Sequence, residues 1–171
     1  MASSLDGDEN DWFKNETHLM HTDDLFSRYQ ALQDYVAWAA DDAERILFSA
    51  EFVRPSFPQL VDDFYAEIER HPETRHVITG GPPQVERLKE SLLAWLEQLL
   101  SGLYDQTYVR RRWEIGCRHV EIGLDESYAC AALSRLRNGL QQALAENWKG
   151  THEELAAVER SLDRLLDLDL A

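Results

Sequence analysis

Cysteine, glycine and proline are all scarce in this 171-residue chain. Its two cysteines, Cys117 and Cys130, are too few for a disulfide framework and are typical of a reducing compartment. Eight glycines and five prolines leave few forced breaks, which favours long helices over a turn-rich β-sandwich. No apolar run is long enough to cross a membrane, and the start, MASSLDGDENDWF, lacks the pattern of a signal peptide. We therefore expect a cytoplasmic protein.

Positively charged residues are also few. Lysine and arginine number 17 against 32 acidic residues, so the net charge is −15. A protein that binds nucleic acid or anionic lipid needs a basic face, so we expect neither as a partner. Hydrophobic residues make up 44% of the chain, which is enough for the core of one globular domain.

Apolar residues recur at helical spacing through most of the chain. We expect residues 1–22 to be a flexible tail and residues 23–171 to form one domain. The pattern predicts an all-α fold of about seven or eight helices, near residues 23–38, 41–54, 56–70, 73–78, 83–103, 105–121, 125–148 and 151–169.

Polar residues at the helix starts suggest caps. Asp41-Asp42 and Asp125 are candidate caps, and Ser56–Gln59 and Thr151–Glu154 have the spacing of capping boxes.

The usual signatures of enzymes and metal proteins are missing. The sequence has no Gly-rich phosphate loop after a strand and no His-Glu-x-x-His, and its two cysteines are thirteen residues apart, which is not a zinc pattern. A di-iron bundle needs two Glu-x-x-His pairs, and only Glu73–His76 fits; chance best explains His18-x-x-His21. Covalent c-type haem is excluded because Cys-x-x-Cys-His does not occur.

His119, Tyr65 and Ser91 are polar residues on or beside apolar helical stripes. From spacing alone, His119 is either a hydrogen-bonded core histidine or an axial haem ligand. Tyr65 either donates to a backbone carbonyl or reaches a ligand on iron. Ser91 either bonds back to its own helix or lines a pocket.

Four segments together resemble the globin-coupled sensor family, which is related to haem aerotaxis transducers and protoglobins. The segment RWEIGCRHVEIGL, residues 112–124, resembles the proximal signature of that family. LVDDFY at 60–65, VERLKES at 85–91 and GLYDQTY at 102–108 resemble its distal and connecting segments, in the expected order.

The resemblance implies a globin fold with an additional N-terminal helix near residues 23–38, and b-type haem. It implies that His119 is the proximal iron ligand, that Tyr65 is the distal hydroxyl donor and that Ser91 is a second polar contact on the distal side. We expect the other residues that contact the haem to be apolar: Phe64, Leu88, Leu92, Trp95, Ile115 and Ile122.

The resemblance further implies a haem-based sensor of dioxygen, which also binds carbon monoxide and nitric oxide. In this family the signal passes through a homodimer built on the last two helices, here about 125–148 and 151–169. If the chain is an excised sensor domain, we expect a C-terminal output module that it does not contain; a single-domain member of the family is the alternative. We expect no enzymatic activity. Two alternatives remain: a globin enzyme acting on nitric oxide or peroxide, and a haem-free globin-like interaction module.

Overall fold

The computed structural model describes residues 22–170, and within that range the chain is helical with no strand. It contains eight α-helices: α1 Thr22–Tyr35, α2 Ala40–Val53, α3 Phe57–Arg70, α4 Pro72–Arg75, α5 Gly81–Leu99, α6 Gln106–Glu121, α7 Glu126–Asn147 and α8 His152–Leu170. A 3-10 turn, Arg54–Ser56, joins α2 to α3. The predicted all-α fold is confirmed. None of these helices is both long and apolar enough to cross a membrane.

The ends of the helices correct several predictions. The expected tail, 1–22, lies outside the described residues except for Thr22, which already begins α1. The predicted cap at Ser56 is wrong, because Ser56 is the last residue of the 3-10 turn and its side chain makes no capping hydrogen bond. The predicted box at Thr151 is confirmed, since its backbone N–H donates to Glu154 Oε2 at 2.7 Å and Thr151 Oγ1 accepts from the Glu154 N–H at 3.2 Å.

The main core lies between α2, α3, α5, α7 and α8. Leu140 of α7 and Leu165 of α8 are fully buried within it. Asp42 is also buried, and it caps α2 from the third position of that helix rather than from the N-cap position, which Ala39 occupies. Its carboxylate accepts from the Ala39 N–H at 2.8 Å and from the Ser161 hydroxyl at 2.6 Å, which connects the start of α2 to α8.

A second, smaller cluster lies behind α6. The added N-terminal helix α1 packs against α6, with Leu25 and Tyr29 buried against Tyr108 and Val109. Leu168, near the end of α8, completes the cluster. One face of α6 is therefore held by α1 and the end of α8, and another is turned towards α5.

Candidate functional site

The last turn of α6 has a geometry that fixes the position of His119. Gly123 has a φ of +70°, a left-handed conformation in which other residues are strained. The Gly123 N–H donates to the Val120 carbonyl at 3.0 Å, and the Leu124 N–H donates to the His119 carbonyl at 3.0 Å. These two bonds form a Schellman motif, which ends α6 one turn after His119.

The imidazole of His119 is suited to bind iron. It is half-buried, and burial lowers its pKa below the ordinary value of 6.5, so the ring is neutral at neutral pH. Neither ring nitrogen makes a hydrogen bond to any residue between 22 and 170. A neutral ring with no hydrogen-bond partner has a lone pair free for coordination.

Tyr65 lies on the buried face of α3. Its side chain is 8% exposed, and its ring packs edge-on against Phe64 with the centroids 5.3 Å apart. Burial raises the pKa of the phenol to about 12, so it keeps its proton. Its hydroxyl makes no hydrogen bond to the described part of the chain. A buried phenol without a partner is a donor available to a ligand.

A cleft of about 280 Å³ separates α5 from α6. It brings together three residues predicted to contact haem: Ser91 and Trp95 on α5, and Ile115 on α6. His119 and Ile122 do not line this cleft; they follow Ile115 by four and seven residues along α6. Ile115 and Ile122 are 38% and 37% exposed, which leaves apolar surface before and after His119.

Most of the other predicted contacts lie on α3 and α5. Phe64, Leu88, Leu92 and Trp95 are partly buried and pack against the main core, of which Tyr65 is a member. Ser91 is exposed, and its hydroxyl donates to the Arg87 carbonyl at 2.9 Å. Both alternatives given for Ser91 therefore hold: its hydroxyl bonds to its own helix, and the residue also lines the cleft.

Sequence reasoning missed the arginines of the cleft. Arg111, Arg112 and Arg118 all line it, although only Arg112 and Arg118 lie within the motif that carried the resemblance. It also missed Asp169, the partner of Arg112 at 2.8 Å. A signal was available: Asp169 follows Leu162 by seven residues and Leu166 by three, so an acid occupies a core-facing position of α8.

The side chains present fit a haem better than a bare metal ion. Residues 22–170 contain no group of three or more His, Cys, Asp or Glu side chains that could hold an ion. They do provide one neutral imidazole, one hydroxyl without a hydrogen-bond partner on a buried tyrosine, and half-exposed apolar walls. Haem needs a single protein nitrogen and an apolar cleft, so this set of groups is compatible with it.

Comparisons with known proteins agree with this geometry. Residues 25–171 match the model of the protoglobin family. The heme-based aerotactic transducer HemAT of Halobacterium salinarum is 33% identical over 132 residues, which cover 76% of this chain and 26% of that protein. The chain thus spans about a quarter of the length of this curated relative.

Solved structures show the same fold. The globin domain of the Geobacter sulfurreducens globin-coupled sensor superimposes with a TM-score of 0.77 at 24% identity, covering 82% of this chain and 91% of that one. The ferric globin domain of E. coli DosC gives a TM-score of 0.67 at 17% identity, covering 85% and 95%. The predicted globin fold is confirmed, and the match along almost the whole described chain shows that this protein belongs to the protoglobin family.

Proposed function

We propose that this chain is a haem-based gas sensor domain that binds dioxygen and other diatomic ligands. The observation that carries the proposal is the unpaired, neutral imidazole of His119, held by the Schellman motif between half-exposed apolar side chains. The 33% identity to a protein named as a heme-based aerotactic transducer supports it.

Each side chain has a distinct role in this proposal. His119 is the only protein ligand to the iron, and Phe64, Leu88, Leu92, Trp95, Ile115 and Ile122 exclude water from the pocket. When bound, a haem supplies an iron atom that takes dioxygen, carbon monoxide or nitric oxide. The Tyr65 hydroxyl donates a hydrogen bond to a ligand that carries negative charge, which favours dioxygen over carbon monoxide. Ser91 is the second polar contact.

We propose that the haem is of type b, because the sequence has no Cys-x-x-Cys-His for covalent attachment. The protein then acts by binding a gas rather than by turning it over. The similarity to a protein named as a heme-based aerotactic transducer supports a sensor over an enzyme.

Signalling requires the liganded state to favour one arrangement of the protein over another. We propose that the chain forms a homodimer through α7 and α8. A change in this dimer on ligand binding is then transmitted to an output module. One stripe of exposed side chains along α7 is small or uncharged, with its members three or four residues apart: Ala131, Ser134, Asn138, Gln142 and Ala145. The exposed charged residues of this helix, Glu126, Arg135 and Glu146, lie outside that stripe. Such a stripe allows two helices to approach closely. Leu136 and Leu140 are buried in the protomer and cannot make this contact.

An absorption spectrum of the purified protein, supplied with haem, tests the central proposal. We expect a strong Soret band that shifts when dioxygen or carbon monoxide is added to the ferrous form. His119→Ala should lose most of its haem and regain a ligated spectrum with added imidazole. His71→Ala is the matched control, because His71 is exposed and bonded to Glu67. A wild-type protein without a Soret band, or a His119→Ala variant with an unchanged spectrum, would refute the assignment.

The dimer is tested separately by light scattering at high micromolar concentration. The unmodified chain should have the mass of a dimer, and Asn138→Arg should shift it towards a monomer. Arg87→Glu, an exposed change on α5, should leave the mass unchanged. A monomeric wild-type chain contradicts the proposed interface.

A further inference from the structure

Four arginines lie on α6, and three of them have a carboxylate partner. Arg110 lies 3.8 Å from Glu114, Arg112 lies 2.8 Å from Asp169 and Arg118 lies 2.8 Å from Glu121. Arg111 forms no ion pair with any residue from 22 to 170. The exposed Arg87 likewise forms no ion pair with residues 22–170, so the location of Arg111, rather than its lack of a partner, carries the argument.

The position of Arg111 points to its use. Arg111, Ile115 and Arg118 follow one another at spacings of four and three residues, so they share one face of α6, and all three line the cleft. The opposite wall carries Ser91 and Gln98. Glu114 and Arg112 also line the cleft, and each has an ionic partner elsewhere: Glu114 lies 3.8 Å from Arg110, and Arg112 lies 2.8 Å from Asp169. The cleft therefore places apolar surface at Ile115 between the guanidinium groups of Arg111 and Arg118, with hydrogen-bonding groups on the opposite wall.

Arg118 is also free to change its partner. Its pair with Glu121 is exposed, with 71% and 61% of the two side chains accessible to solvent. Exposed pairs of this kind contribute little to stability, so the guanidinium exchanges one carboxylate for another at low cost.

A ligand that matches this cleft is apolar over most of its body and carries carboxylates at one edge. Guanidinium groups bind carboxylates through two parallel hydrogen bonds. Haem b carries two propionate carboxylates on an otherwise apolar ring. We infer that Arg111, together with Arg118, binds the haem propionates at the mouth of the α5–α6 cleft. This inference rests on the proposed function, because it requires the chain to hold haem.

The test measures how fast the protein loses haem to an excess of apomyoglobin, using two forms of the cofactor. One is haem b, and the other is its dimethyl ester, which has the same ring without the carboxylate charges. Wild type should release the ester faster than haem b. Arg111→Gln should release haem b about tenfold faster than wild type, which is the size expected for one charge-assisted contact, and should release the ester at the wild-type rate.

Arg110→Gln is the matched control, because Arg110 is on the same helix, does not line the cleft and carries the same charge. It should release both cofactors at wild-type rates. Arg111→Lys should recover part of the retention, since a lysine keeps the charge but lacks the paired geometry. The double variant with Arg118→Gln should release haem b faster still. Thermal unfolding of the haem-free forms checks that each variant is folded.

The inference is overturned if Arg111→Gln releases haem b no faster than Arg110→Gln, or if it accelerates loss of the ester by the same factor. Both results leave the proposed function intact, because wild type still binds haem. A wild-type chain that takes up neither cofactor would instead contradict the proposed function itself.

Discussion

The Nε atom of Arg112 lies 2.8 Å from a carboxylate oxygen of Asp169, and the two side chains are only 8% and 2% exposed. The Tyr108 hydroxyl donates to the other oxygen of Asp169 at 2.5 Å. The guanidinium also lies over two rings, 4.3 Å from the centroid of Tyr108 and 4.8 Å from that of Trp95. This cluster joins the helix that carries His119 to the cleft wall on α5 and to the end of α8.

Replacing Arg112 by methionine should strongly destabilise the fold at pH 7.5. The change leaves the Asp169 carboxylate buried without its counter-ion, and breaking a buried pair in this way costs about 3–5 kcal/mol. Urea denaturation measures the free energy of unfolding. The loss of unfolding free energy should be smaller at pH 5, because Asp169 takes up a proton there.

Arg110→Met is the control for that prediction. The ion pair of Arg110 with Glu114 is long, and its side chain is 53% exposed, so we expect a change of about 0–1 kcal/mol. Equal losses for the two variants would show that the buried pair has no special role.

The pH dependence of stability should reveal Asp169 directly. Burial raises the pKa of Asp169 to about 6, against the opposing effect of Arg112, from an ordinary value of 3.8. Between these two values the folded chain holds a proton that the unfolded chain releases, so stability falls as the pH rises. We expect the free energy of unfolding of wild type, relative to Asp169→Asn, to decrease from pH 5 to pH 7. A difference that is flat, or that grows with pH, contradicts this.

Asp41 and Asp42 are neighbours with opposite environments. Asp42 is 1% exposed and accepts from Ser161 at 2.6 Å and from Arg164 at 3.1 Å, whereas the Asp41 side chain is 75% exposed and pairs with Arg45. Asp42→Ala should reduce the free energy of unfolding by about 3 kcal/mol, because it removes the buried acceptor shared by the Ala39 N–H, the Ser161 hydroxyl and the Arg164 guanidinium. Asp41→Ala should change it by less than about 1 kcal/mol. Similar values in thermal or urea unfolding would contradict the assigned role of Asp42.

Tyr65→Phe tests the distal donor. It should leave haem-free stability unchanged, because the hydroxyl has no partner among the described residues. In the haem-loaded protein, dioxygen should dissociate about tenfold faster while carbon monoxide changes much less, as expected for one lost hydrogen bond to a charged acceptor. Ser91→Ala should have a smaller effect, since its hydroxyl is bonded to Arg87.

Tyr104→Phe is the control, because the Tyr104 hydroxyl donates to the Leu99 carbonyl at 2.9 Å. It should cost about 1 kcal/mol of stability and leave both gas dissociation rates unchanged. Equal changes for the two gases in Tyr65→Phe would show that the hydroxyl does not discriminate between them.

The helices and the resemblance to globin-coupled sensors could be predicted from local sequence patterns. Periodic apolar residues predicted α3 and α7 to within a few residues, and the predicted end of α6 at residue 121 matches the structure. The hydrophobic stripe and the left-handed turn at Gly123 are properties of short segments. The predicted cap at Ser56 failed, because the chain enters α3 through a 3-10 turn set by its junction with α2.

The sequence by itself determined the all-α class, the position of His119 at the end of α6 and the placing of Tyr65 on a buried stripe. Only the tertiary structure decided which charges are buried: Arg112 with Asp169, and Asp42 with Ser161 and Arg164. It also decided that Arg111 lies in the cleft without an acidic partner between residues 22 and 170. The physical reason is the separation along the chain over which each interaction acts. Helical periodicity acts over a few residues, whereas ion pairing and burial depend on groups up to 122 positions apart that meet only when the helices pack.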